Sequence, residues 1–72
     1  MTVSELLAAS ASAHQRSIPV KGRPRDMAAL AEAASLRVQA LALDPGRNDE
    51  SWTIGKASHE QLMDFYREKG VL

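Results

Sequence analysis

Residues 26–43 read DMAALAEAASLRVQALAL, a run rich in helix formers and free of glycine and proline. Met27, Leu30, Ala31, Ala34, Val38 and Leu41 recur at three- and four-residue intervals, the stripe of an amphipathic helix, and that face is expected in the core. Leu36, Ala40 and Leu43 widen the apolar surface to a second side, leaving Glu32, Arg37 and Gln39 for solvent. A helix apolar on two sides predicts more than one neighbour, and its alanines let another backbone come close. Asp44-Pro45-Gly46 ends it, because proline can neither donate an amide hydrogen nor continue the helix.

Upstream, Gly22-Arg23-Pro24 breaks the chain, and Pro24 sits where a helix's first turn tolerates a residue without an N–H. Ser17-Ile18-Pro19-Val20-Lys21 reads as extended, since the residue before proline is pushed toward β geometry; Pro19 restricts it to a sheet edge. Thr2 and Glu5 have capping-box spacing, and Leu6, Leu7, Ala8, Ala9, Ala11 and Ala13 permit a helix behind them. Ser4, Ser10 and Ser12 compete for backbone hydrogen bonds, so residues 1–15 are expected to be a short frayed helix or a flexible tail that orders on a partner.

Downstream, Trp52-Thr53-Ile54 is aromatic and β-branched and ends at Gly55, giving a second candidate strand. Ser58 and Gln61 repeat the capping-box pattern ahead of a final helix carrying Leu62, Met63, Phe65 and Tyr66, closed by Gly70 with Lys69 complementing its dipole. The expected fold is therefore α+β: residues 16–72 form a single small domain of two main helices and one or two short strands. A small helical bundle with extended connectors is the alternative.

A chain of 72 residues has room for one core, whose net stability rarely exceeds about 3–5 kcal/mol. Lysine plus arginine balances aspartate plus glutamate, nine against nine, so electrostatic recognition must be local. The lack of cysteine suits a reducing cytoplasm, and neither a membrane-length apolar run nor a basic leader is present. His14 and His59 lack the spacing of a metal motif, and His59 reads as an exposed first-turn residue. Glu60 and Asp64 read as solvated surface. No nucleophile elbow or phosphate-cradling glycine loop occurs. The expectation is a non-enzymatic protein with no catalytic residue, cofactor or metal.

Arg16, Lys21, Arg23 and Arg25 form the one strongly basic stretch, with no acid among residues 16–25. Within it Lys21-Gly22-Arg23-Pro24-Arg25 resembles the Arg-Gly-Arg-Pro core of AT-hook peptides, whose extended arginines enter the minor groove of A·T-rich DNA. It departs by a lysine at the first position and by Asp26 directly after Arg25. Trp52 and Phe65 are expected in the core. Tyr66, turned about 100° from Phe65 on the same helix, is expected at an interface. The candidate partner-binding residues are thus Arg16, Lys21, Arg23, Arg25 and Tyr66.

In size, in its alanine- and arginine-rich style, and in the basic extended segment Ser17 to Arg25 ahead of a helix, the chain resembles the small phage-encoded proteins that bind bacterial RNA polymerase. That resemblance implies a monomer acting in the host cytoplasm. It would dock near the amino-terminal part of the polymerase β′ subunit and redirect or inhibit transcription, as in antitermination. It transfers no residue role. The alternative is a DNA-binding module using Arg16–Arg25 as an arm, and a third reading is a structural or toxin–antitoxin-like accessory protein.

Overall fold

A computed structural model describes residues 1–46 and 57–72. They form three helices: α1 (Val3–Ser17), α2 (Met27–Leu43) and α3 (His59–Glu68). Among the described residues there is no strand, so the α+β expectation is overturned and the domain is a small helical one. Ser17 completes α1, and residues 18–20 run on as a connector with no strand beside them among the described residues. Val20 accepts a hydrogen bond from the Arg23 amide at 2.9 Å, and Gly22 takes φ +82°, the left-handed conformation that the third position of a type II turn requires. The second strand candidate, Trp52-Thr53-Ile54, lies outside the described residues.

Both halves of the Thr2/Glu5 capping box are made, with Glu5 N–H to Thr2 Oγ1 and Thr2 N–H to Glu5 Oε1 each at 3.1 Å. From there α1 runs fifteen residues, and the boundary at 15/16 falls inside it. Its buried residues are Leu6, Leu7, Ser10, Ala13, His14 and Ser17, spaced by threes and fours. Of the serines expected to fray the helix, Ser10 works in this stripe instead, and Ser17 joins it at the C-terminal end. Ser10 Oγ donates to the Ala33 carbonyl of α2 at 2.6 Å, and Ser17 Oγ donates to the His14 carbonyl at 2.6 Å. Hydroxyls that bond across a helix contact or back onto a carbonyl are compatible with a helix interior.

The helices α1 and α2 pack antiparallel. Leu6 and Leu7 meet Ala40 and Leu36 at one end, while Ala13 meets Leu30, Ala33 and Ala34 at the other, where Leu62 and Tyr66 of α3 join them. The α2 face turned inward is Ala29, Leu30, Ala33, Ala34, Arg37 and Ala40, which keeps Leu30 and Ala34 of the stripe expected from hydropathy but is rotated away from the rest of it. Met27, Ala31 and Val38 are exposed, and Arg37, expected in solvent, is only 2% accessible. The physical reason is that α2 carries more apolar residues than one face needs, so alanine methyls at 33, 34 and 40 satisfy the close α1 contact and the larger Met27 and Val38 are left outside.

Asp26 caps α2 by accepting from the Ala29 amide at 3.0 Å, and the Asp26 amide in turn bonds the Ser17 carbonyl at 3.2 Å, closing the connector. Ser58 and Gln61 form the expected capping box on α3. At its far end Gly70 (φ +78°) makes a Schellman motif: the Val71 amide reaches the Tyr66 carbonyl and the Gly70 amide the Arg67 carbonyl, both at 3.1 Å, and Val71 packs on the core. A Cβ at Gly70 would meet nothing within 4 Å, so Gly70→Ala carries only the left-handed backbone penalty. We expect it to cost about 1 kcal/mol, a drop of roughly 4–8 °C in a thermal melt followed by circular dichroism.

Candidate functional site

Large apolar side chains buried among the described residues are few: Leu6, Leu7, Leu30, Leu62 and the ring of Tyr66. Between the two apolar clusters, at Ser10 on α1 and Arg37 on α2, the interior is polar. Tyr66 is fully buried, and its hydroxyl lies 2.9 Å from His14 Nδ1. Arg37 hydrogen-bonds His59 Nδ1 through Nη1 and also bonds Tyr66. One buried polar group from each helix is thereby joined into a network that ties α3 to the α1–α2 hairpin.

Electrostatics in this layer follow from burial. Desolvation lowers the pKa of His14, and the Arg25 and Arg37 guanidiniums lower it further. His59 is lowered first by desolvation and then by Arg37, against a smaller opposing pull from Glu60. Burial pushes the Tyr66 hydroxyl up, with Arg37 opposing, and burial lowers Arg37. Both histidines are therefore held toward the neutral form. Three of His, Asp or Glu nowhere converge to hold a metal among the described residues.

An open cleft of about 480 Å³ adjoins the network, lined by His14, Ile18, Arg25, Ala57, Gln61, Leu62 and Phe65. Its size falls within the range of ligand and side-chain pockets. Phe65 forms an aromatic cluster with His14 and Tyr66, its ring centroid 5.7 Å from His14 and 6.0 Å from Tyr66. Two cations converge on the same ring, Arg25 at 5.4 Å and Lys69 at 5.5 Å from its centroid.

These positions divide the five residues expected to bind a partner. Lys21 and Arg23 stand exposed on the connector turn. Arg16 is exposed and bridges α1 to α2 through Glu32 at 2.9 Å. Arg25 is half-buried, donates to Ser17 Oγ at 3.3 Å and lines the cleft. Tyr66 lies inside the fold and not on its surface: it is the buried member of the aromatic pair and Phe65 the partly exposed one, because the tyrosine hydroxyl finds its partner inside. Sequence reading missed the cleft residues His14, Ile18 and Gln61 and the inward roles of Arg37 and His59. The signal within reach was α1's spacing, which places His14 a heptad after Leu7 and beside Ser10 and Ala13.

No family model, curated protein or solved structure matches this chain. The functional reading therefore rests on the residues themselves. Among the described residues, no helix is long and apolar enough to cross a membrane.

Proposed function

We propose that this protein is a small non-enzymatic regulator that docks on a protein partner, with bacterial RNA polymerase the partner to test first, and that it modulates host transcription from the cytoplasm. The observation that carries the docking reading is the juxtaposition, on one connector, of exposed apolar side chains with exposed cations. Ile18 (49% accessible) and Val20 (62%) lead into the turn bearing Lys21 and Arg23, and Ile18 and Arg25 open into the cleft. Apolar groups left exposed beside arginine and aromatic side chains are the composition of interface anchors. The choice of polymerase rests on the resemblance in size and style noted above.

A DNA arm is less well supported by this geometry. AT-hook-like recognition uses extended arginines, whereas Lys21-Gly22-Arg23 is folded into a hydrogen-bonded turn and Arg25 is engaged with Ser17 and Phe65.

Tagged protein incubated with nuclease-treated bacterial lysate is expected to retain polymerase subunits at moderate salt, identified by mass spectrometry. Retention that vanishes with the nucleic acid, or that falls steeply with salt as counterion release demands, would overturn the reading in favour of DNA binding.

A further inference from the structure

The cleft carries more than an address for a partner; its chemistry specifies what part of a partner enters it. We infer that the cleft between the end of α1, the connector and α3 is a docking site for an acidic peptide segment that inserts an apolar or aromatic side chain between Ile18, Leu62 and Phe65 and sets carboxylates against the cations on its rim. This rests on the protein-binding reading above and deepens it.

The floor is apolar: Ile18, Ala57, Leu62 and the ring of Phe65 face the opening. A volume of about 480 Å³ accommodates a large side chain with part of its backbone. The rim is cationic. Arg25 and Lys69 both lie over Phe65, and Lys21 and Arg23 occupy the turn between two cleft residues, Ile18 and Arg25. The acid of this connector, Asp26, is occupied as the cap of α2. On α3, Glu60 and Asp64 line a different hollow, with Leu41, His59, Met63 and Arg67, and Asp64 is paired with Arg67 at 2.8 Å. Glu68, next to Lys69, is the α3 acid that does not share that hollow. Among the described residues, a chain with no net charge thus sets two cations, Arg25 and Lys69, over the aromatic ring of one apolar opening, with the exposed Lys21 and Arg23 on the turn between Ile18 and Arg25. An acidic strand or helix turn with a buried anchor complements it in both respects, the anchor giving affinity and the rim charges giving steering and selectivity.

The test selects a random peptide library against the immobilised full chain and maps the enriched peptides on the ¹⁵N-labelled protein by amide shifts. Enrichment of acidic residues flanking leucine, phenylalanine or tryptophan is expected, with shifts at Ile18, Arg25, Gln61, Phe65 and Lys69. Binding should weaken by about tenfold in the surface variant Arg23→Glu/Lys69→Glu, whose fold is checked by circular dichroism. No enrichment, enriched peptides lacking acids, shifts confined to another face, or undiminished binding to the variant would each overturn the assignment. So would an A·T-rich duplex that shifts these same amides and is not displaced by any selected peptide. A polymerase subunit recovered from lysate alongside a failed selection would remove the cleft assignment alone. A successful selection with no polymerase recovered would remove the polymerase assignment and leave the acidic-segment site standing.

Discussion

Arg37→Ala is expected to destabilise the domain by about 3 kcal/mol, a loss comparable to the whole stability available to a core of this size. Two effects add. The long side chain at this position is 2% accessible at the centre of the α1–α2–α3 contact, and truncating it leaves a void that alanine-rich neighbours cannot collapse to fill. It also takes the donor from His59 Nδ1 and removes one partner from the buried Tyr66 hydroxyl, which keeps His14. One force acts the other way, because removing a buried cation recovers desolvation, the same cost that lowers the Arg37 pKa. The void and the lost hydrogen bonds outweigh it, since alanine restores neither volume nor a donor. Urea denaturation of Arg37→Ala beside Arg67→Ala decides the matter: Arg67 is exposed and paired with the exposed Asp64, and its loss should stay within about 0.5 kcal/mol. Equal midpoints for the two variants would show that Arg37 does not hold the helices together.

The contrast between these arginines shows what was legible in the sequence and what was not. Local signals read well, because they depend on residues three or four apart: the Thr2/Glu5 and Ser58/Gln61 capping boxes, the stop at Asp44-Pro45-Gly46 and the cap at Gly70 are all found as expected. The long helix around residues 26–43 was also evident, but its orientation was not. Hydropathy points Val38 inward and Arg37 outward, whereas in the fold alanine methyls and a guanidinium occupy the contact. Tyr66 and His59 give Arg37 partners there from α3, and no pattern within α2 reports them. The same holds for Ser10, whose hydroxyl reads as a helix competitor until Ala33 is seen opposite it. The connector failed for a related reason. Ile18 and Val20 suit a strand, but a strand needs a neighbour to pair with, and the chain instead turns at Gly22 and returns to α2. Of the site residues, the basic cluster was visible as composition. Its division into structural ties, Arg16 and Arg25, and exposed cations, Lys21 and Arg23, depends on tertiary partners.

Acidification from about pH 7.5 to about pH 5 is expected to destabilise the domain through its two histidines, in a range above that in which ordinary carboxylates titrate. His14 is 7% accessible, and the groups that bear on it are Tyr66 from α3, Arg37 from α2 and Arg25 from the connector, of which the charged ones are cations. His59 faces Arg37 across the contact and has Glu60 beside it. Both pKa values are depressed in the folded state, chiefly by desolvation, whereas an unfolded histidine titrates near about 6.5. Between those values the unfolded chain holds more protons. The stability contribution is therefore complete above about pH 6.5, is lost as pH falls through that value, and stops changing below the depressed folded pKa values. Each histidine can withdraw at most about 1.4 kcal/mol per pH unit, which two together make large against a stability of a few kcal/mol. Thermal melts across this range should show a falling midpoint in the parent chain and a shallower fall in His14→Gln, which keeps a polar side chain beside Tyr66 but cannot take up the proton. If the parent midpoint is unchanged, the interior accommodates imidazolium without cost and His14 is not held neutral by the packing of α1 against α3. If His14→Gln falls as steeply as the parent, the acid response belongs to His59, and the contact with Arg37 is the place where the helices separate.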